Sequence, residues 1–134
     1  MITATIAGMA QPNAMSKEVR DRIDAQRVAF ITQQLDLSPD EAARFWPIYN
    51  EYRDALKEMR DAFERPDLET ISEQEASSVI EQHLQMEQQK LDLKRTLLTR
   101  LRTVVSAKKV LMLHQAEIEF NRELLRRAQE HRKP

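Results

Sequence analysis

Leu37-Ser38-Pro39-Asp40-Glu41, running into Phe45-Trp46-Pro47-Ile48-Tyr49-Asn50-Glu51-Tyr52, decides how this chain folds. Its first five residues write a helix start three times over. Ser38 can cap the helix, Pro39 falls at the first helical position where its missing N–H costs nothing, and Glu41 can close a capping box. The eight residues that follow carry four of the seven aromatics in the chain, at helical spacing, with Pro47 inside the helix they form. Pro47 removes one hydrogen bond and crowds the preceding turn, so a kink is expected there. The aromatic cluster itself is expected to be core, because aromatic area dominates packing.

Outward from this start, three more helices can be read. The first spans Lys17 to Gln34 behind the cap Ser16, with Val19, Ile23, Phe30 and Ile31 in its apolar stripe and Leu35 just past its end. The second runs from Pro39 to about Phe63, carrying Ala42, Phe45, Trp46, Tyr49, Tyr52, Leu56, Met59 and Phe63. Glu64-Arg65-Pro66-Asp67 breaks the chain. Ser72-Glu73-Gln74-Glu75 repeats the capping box and opens a third helix to about Val104, and Ser106 caps a fourth from Ala107 to about Arg127. The pairs Leu37-Ser38, Ile71-Ser72 and Val105-Ser106 are each 34 residues apart. Each period holds one long helix, so this is not a tetratricopeptide array of helix pairs. It fits helices of similar length folded back on one another. At the last start, Lys108 and Lys109 stand where the helix dipole prefers anions.

One glycine and five prolines among 134 residues leave little turn chemistry for a strand-rich fold, and the length is that of one domain. Charged residues make up 32% and hydrophobic residues 41%, which suits amphipathic helices that each bury a narrow stripe. The absence of cysteine excludes disulfides and thiolate metal sites, and the single glycine excludes glycine-rich phosphate loops. Ile2 to Ala10 is uncharged and mostly small or apolar, and Gly8-Met9-Ala10 fits a signal-peptidase site. Residues 1–10 are therefore read as the remnant of a leader, and 11–134 as a single helical domain. No stretch approaches the roughly 20 apolar residues of a membrane span.

The run from Leu37 to Tyr52 resembles the Spy/CpxP family of Gram-negative periplasmic stress proteins, whose signature is a Leu-Thr-x-x-Gln motif at a helix start. Here the motif reads Leu-Ser-Pro-Asp-Glu, with Ser38 for Thr and Glu41 for Gln, both conservative for capping. Phe45, Trp46, Pro47 and Tyr49 look most like the branch identified as envelope heavy-metal or sigma-factor sensors. The resemblance implies an exported, periplasmic protein, a homodimer of long antiparallel helices shaped like a shallow cradle, and no enzymatic activity. The specific residues are confined to about 37–52.

Charge divides unevenly. From residue 90 onward 12 Lys and Arg stand against 5 Asp and Glu, a net of +7, whereas residues 1–89 carry −8. Solvated faces that pair within the fold account for most of this, and head-to-tail complementarity in a dimer or a basic surface offered to acidic clients for the rest. The basic residues are not interleaved with aromatics, so nucleic acid is not an expected partner. Leu84, Leu91, Leu98 and Val105 recur every seven residues along the third helix, with Glu87, Lys94 and Arg95 between them. This half-apolar seam lies on a helix too long for one compact bundle, and it points to a second copy or a client.

Chemistry rests on few groups. His83 with Glu87, and His114 with Glu117 in the stripe Leu111-His114-Ile118-Asn121-Leu125, are the candidate ligands for a metal ion, imidazole and carboxylate being how bundle sites are built. A lone histidine on an apolar face serves more often as hydrogen-bonded core, and His131 falls in a solvated tail. No cofactor is expected beyond that candidate metal. The expected fold is all-α: four long helices in an elongated, cradle-like hairpin assembly. The expected function is a binding protein that holds unfolded or envelope clients without ATP. The alternative is a periplasmic sensor of a metal or a regulatory protein partner, acting on a sigma factor or two-component system.

Overall fold

The computed structural model describes residues 16–132, and they form four helices: α1 (Lys17–Gln34), α2 (Pro39–Ala62), α3 (Glu73–Leu101) and α4 (Ala107–His131). The fold is all-α. Residues 1–10, with their leader reading, lie outside the described residues. Among the latter, no helix is long and apolar enough to cross a membrane.

Each helix starts where its serine placed it. Ser16, Ser38, Ser72 and Ser106 are all extended N-caps whose hydroxyl accepts from the backbone N–H three residues on, at 3.1–3.2 Å. Only at Ser38 is the capping box complete, with Glu41 Oε1 accepting from the Ser38 N–H at 3.0 Å. At Ser72 the expected return arm from Glu75 is not made, so that start has half the box. Leu37 and Ala42, and Val105 and Val110, occupy the positions that staple a helix entry, and all four belong to the same apolar core.

The helix ends depart from the expected bounds. Helix α3 stops at Leu101 instead of running to Val104. The N–H groups of Val104 and Val105 both bond to the Leu101 carbonyl, at 2.9 Å, and this tight turn swings Val105 into the core at 5% exposure. Helix α4 runs one turn beyond Arg127, because Arg126 and Arg127 pair with Glu123 and Arg126 pairs with Glu130 along its last turns. Helix α2 continues through Pro47 without interruption. Pro47 and Ala43 sit on its exposed face, where water can serve the Ala43 carbonyl that lost its amide donor.

The α1–α2 turn is a Schellman closure with aspartate in the usual glycine place. Asp36 takes φ 48°, its N–H reaches the Gln33 carbonyl at 3.1 Å, and the Leu37 N–H reaches the Thr32 carbonyl at 3.1 Å. Lys109, ill placed for its own helix dipole, is explained here. Its ammonium donates to the Asp36 carbonyl at 2.9 Å and to Glu41 at 2.8 Å, which ties the N-terminus of α4 to this turn.

All four helices meet beside the two tight turns. Ile31 and Leu35 come from α1, Phe45 and Tyr49 from α2, Leu97 and Leu101 from α3, and Leu113 and Ala116 from α4. From this core two pairs extend, α2 against α3 and α1 against α4. The second pair is joined by Phe30 and Phe120, ring centroids 5.7 Å apart. The 29 residues of α3 make about 44 Å of helix. A sphere of this chain length would be about 36 Å across, from the usual scaling of radius of gyration.

Two predictions follow from the ends. Ser38→Ala should lower stability by about 1 kcal/mol, more than Ser72→Ala, in urea melts. Arg126 first, and then Arg127, hold the Glu123 carboxyl at about 2 instead of 4.5. A depressed carboxyl gives its full stabilisation above about 4.5 and loses it as pH falls through about 2. Helicity followed by circular dichroism from pH 5 to 2 should therefore fall in the native chain and fall less in Glu123→Gln.

Candidate functional site

Tyr49 stands where α2 faces α4. Its ring is 1% exposed, stacks on Phe45 at 5.7 Å, and meets the edge of Trp46 at 5.3 Å. Trp46 is half-buried and donates its indole N–H to Thr32 of α1 at 3.0 Å. The Tyr49 hydroxyl donates to Glu117 Oε1 of α4 at 2.9 Å, and Lys94 of α3 lies 3.6 Å from the other Glu117 oxygen. Burial first, and then the Glu117 charge, push the Tyr49 hydroxyl far above its ordinary range, so it remains a donor. Tyr52 is raised by the same two causes, and Lys94 lies 5.7 Å from its ring centre. One carboxylate thus joins three helices.

This arrangement settles where the candidate ligands are. Glu117 is committed to Tyr49 and Lys94. His114 lies on the exposed face of α4, three residues away but turned from the core. Its stripe is exposed as well, with Leu111 74%, Ile118 45% and Leu125 65% accessible. The core face of α4 is Val110, Leu113, Ala116 and Phe120. The expectation of His114 as a core histidine is therefore corrected. His83 is likewise exposed, 4.0 Å from Glu87 and edge-on to Phe63 at 6.3 Å. Among the described residues no three histidine, aspartate or glutamate side chains gather to hold a metal ion.

The signature residues divide by role. Leu37, Phe45 and Tyr49 are buried, Ser38 and Glu41 make the cap, Trp46 bridges to α1, and Pro47 is exposed. These residues build the fold.

A groove open to another molecule lies further along α2 and α3. It opens between them with a volume of about 660 Å³, lined on its apolar side by Met59, Phe63, Met86 and Leu93. Gln82, Gln85 and Gln89 border it, and they offer amide donors and acceptors together. Beyond this groove α3 exposes Ile80, Leu84 and Leu91 at 60%, 57% and 50%. The seven-residue seam therefore splits: Leu98 and Val105 pack toward the core, and Leu84 and Leu91 face outward. Met59 was visible in the stripe of α2, but its pairing with Met86 depends on how α3 folds back.

Compared with known proteins, the chain matches no family model, no curated protein and no solved structure.

Two outcomes are expected from this geometry. Tyr49→Phe should cost about 1–2 kcal/mol in denaturant melts, since it removes a buried hydrogen bond to a charged acceptor. Isothermal titration with zinc or nickel should find no one-per-chain site of micromolar affinity. A tight site lost in both His83→Gln and His114→Gln would reverse that reading and favour a metal sensor.

Proposed function

We propose that this chain is a non-enzymatic binding protein of the Spy/CpxP type, a periplasmic holdase that shields unfolded or envelope clients without ATP. The groove between α2 and α3 is the observation that carries the reading. Met59 and Met86 are unbranched and polarisable, so they can refit to many apolar segments. The bordering glutamines can bond to the peptide groups of an extended client, whose backbone is otherwise unpaired. Exposed Ile80, Leu84 and Leu91 continue the apolar surface, among charged side chains whose alkyl stems add to it. Such a surface favours weak contacts with many sequences over tight contact with one.

The family resemblance at Leu37–Tyr52 supports the same reading and, with it, a periplasmic location. It also motivates a homodimer, for which the outward leucines of α3 are a suitable seam. A regulatory protein partner on the same surface is the alternative.

The test is suppression of aggregation of a reduced, unfolded model protein in the absence of nucleotide. The native chain should suppress light scattering in proportion to its concentration. Met86→Glu should abolish most of the effect while leaving far-ultraviolet circular dichroism unchanged, because Met86 lies on the groove and outside the core. A folded native chain that leaves scattering unchanged would remove the holdase reading. Sedimentation equilibrium at micromolar concentration should give twice the chain mass.

A further inference from the structure

A second groove, between α1, α2 and α4, joins an apolar floor to two arginines that make no ion pair among the described residues. Its volume is about 800 Å³, within the range that holds small organic ligands. Ile23, Leu124, Leu125 and Ala128 give it apolar surface. Arg27 lies on it and is only 7% exposed. The Arg27 guanidinium sits 4.7 Å from the Phe120 ring centre and donates through Nη1 to Asn121 at 3.4 Å, while its Nε is buried with no acceptor. Arg53, half-buried on the same groove, lies close enough to disfavour the Arg27 charge, second only to burial itself.

Among the described residues neither arginine has a carboxylate within ion-pair distance. Asp61 is taken by Lys57 at 2.7 Å, and Asp21 and Asp24 lie along the groove beyond such reach. Asp24 and Glu117 favour the Arg27 charge only from beyond contact distance, and a buried guanidinium with an unfilled N–H and no ion pair is an arrangement proteins rarely keep unless something pairs with it. Its planar fork matches a carboxylate in both charge and shape.

We propose that this groove binds a single-chain anionic amphiphile, with its carboxylate at Arg27 and Arg53 and its alkyl tail along Ile23, Leu124 and Leu125. The lining favours this over a peptide. It contains no Asn, Gln, Ser or Thr to serve peptide groups, whereas the α2–α3 groove has three glutamines for that purpose. Six cationic side chains line the groove against three aspartates, so its net field is positive and draws an anion in. The site is separate from the client groove and does not depend on holdase activity.

Dodecanoate, kept below its micelle concentration, is the probe, titrated calorimetrically into the full chain. Saturable binding of one per chain in the micromolar range is expected. Uncharged dodecanol and tailless butyrate should each bind at least about tenfold more weakly, as should Arg53→Gln and Leu125→Asp toward dodecanoate. Arg27→Met should lose binding, and if that variant does not fold, Arg53→Gln and Leu125→Asp carry the test. Met86→Glu, in the other groove, should bind as the native chain does. The proposal is overturned by absence of saturable binding, by dodecanol binding as tightly as dodecanoate, by Arg53→Gln keeping native affinity, or by loss of binding in Met86→Glu. Tight binding of an acidic peptide in place of dodecanoate would equally overturn it.

Discussion

The hydrogen bond from Tyr49 to Glu117 joins α2 to α4 at the level where all four helices meet. A carboxylate in that position needs company, and Lys94 of α3 supplies it. The apolar residues around the joint come from short stretches beside two tight turns, so the core is small and the alignment of those turns matters. Lys109 fixes that alignment from the other side, holding the α1–α2 turn against the start of α4. Among the described residues, Arg100 to Glu51 at 2.8 Å and Lys109 to Glu41 are the ion pairs between different helices that cross from the basic second part of the chain to its acidic first part. They account for a portion of the charge division, and most of the remaining charge stays on solvated helix faces.

Local signals in the sequence were legible because local physics makes them. Every serine cap needs only its own first turn, and each of the four sits where Ser16, Ser38, Ser72 and Ser106 indicated. What failed was anything that required choosing between faces. Helix α4 carries two apolar stripes, Leu111-Ile118-Leu125 and Val110-Leu113-Ala116-Phe120, and helical periodicity alone does not say which one turns inward. Small Ala116 beside Leu113 lets the helix approach its neighbours, and that choice set His114 outward. The engagement of Glu117 with the core was hidden for a related reason. Its partner Tyr49 lies 68 residues away, on a contact that exists only after both turns close. Arg27 was silent because an arginine on a charged helix reads as solvated; only the placement of Phe120 over it reveals otherwise.

Exposed apolar side chains recur at helical spacing on two of the helices. Ile80, Leu84 and Leu91 on α3, and Leu111, Ile118 and Leu125 on α4, lie away from the shared core. Contiguous patches of this kind mark interaction surfaces more often than accidents of composition. The two grooves differ in chemistry along the same lines, one amide-bordered and rich in methionine, the other cationic. The two share no lining residue.

The α2–α3 pair leaves the core after Tyr52 and returns near Leu97, closed at its far end by the Asp67 turn, where the Asp67 side chain and carbonyl accept from Glu69, Thr70 and Ile71. Nothing in the core depends on how far that excursion extends. Removing or adding seven residues on each strand of the hairpin, in step, keeps the facing sides in register because seven residues are close to two turns. The reach of this arm is therefore an adjustable ruler, which lets the hairpin be lengthened or shortened without repacking its base.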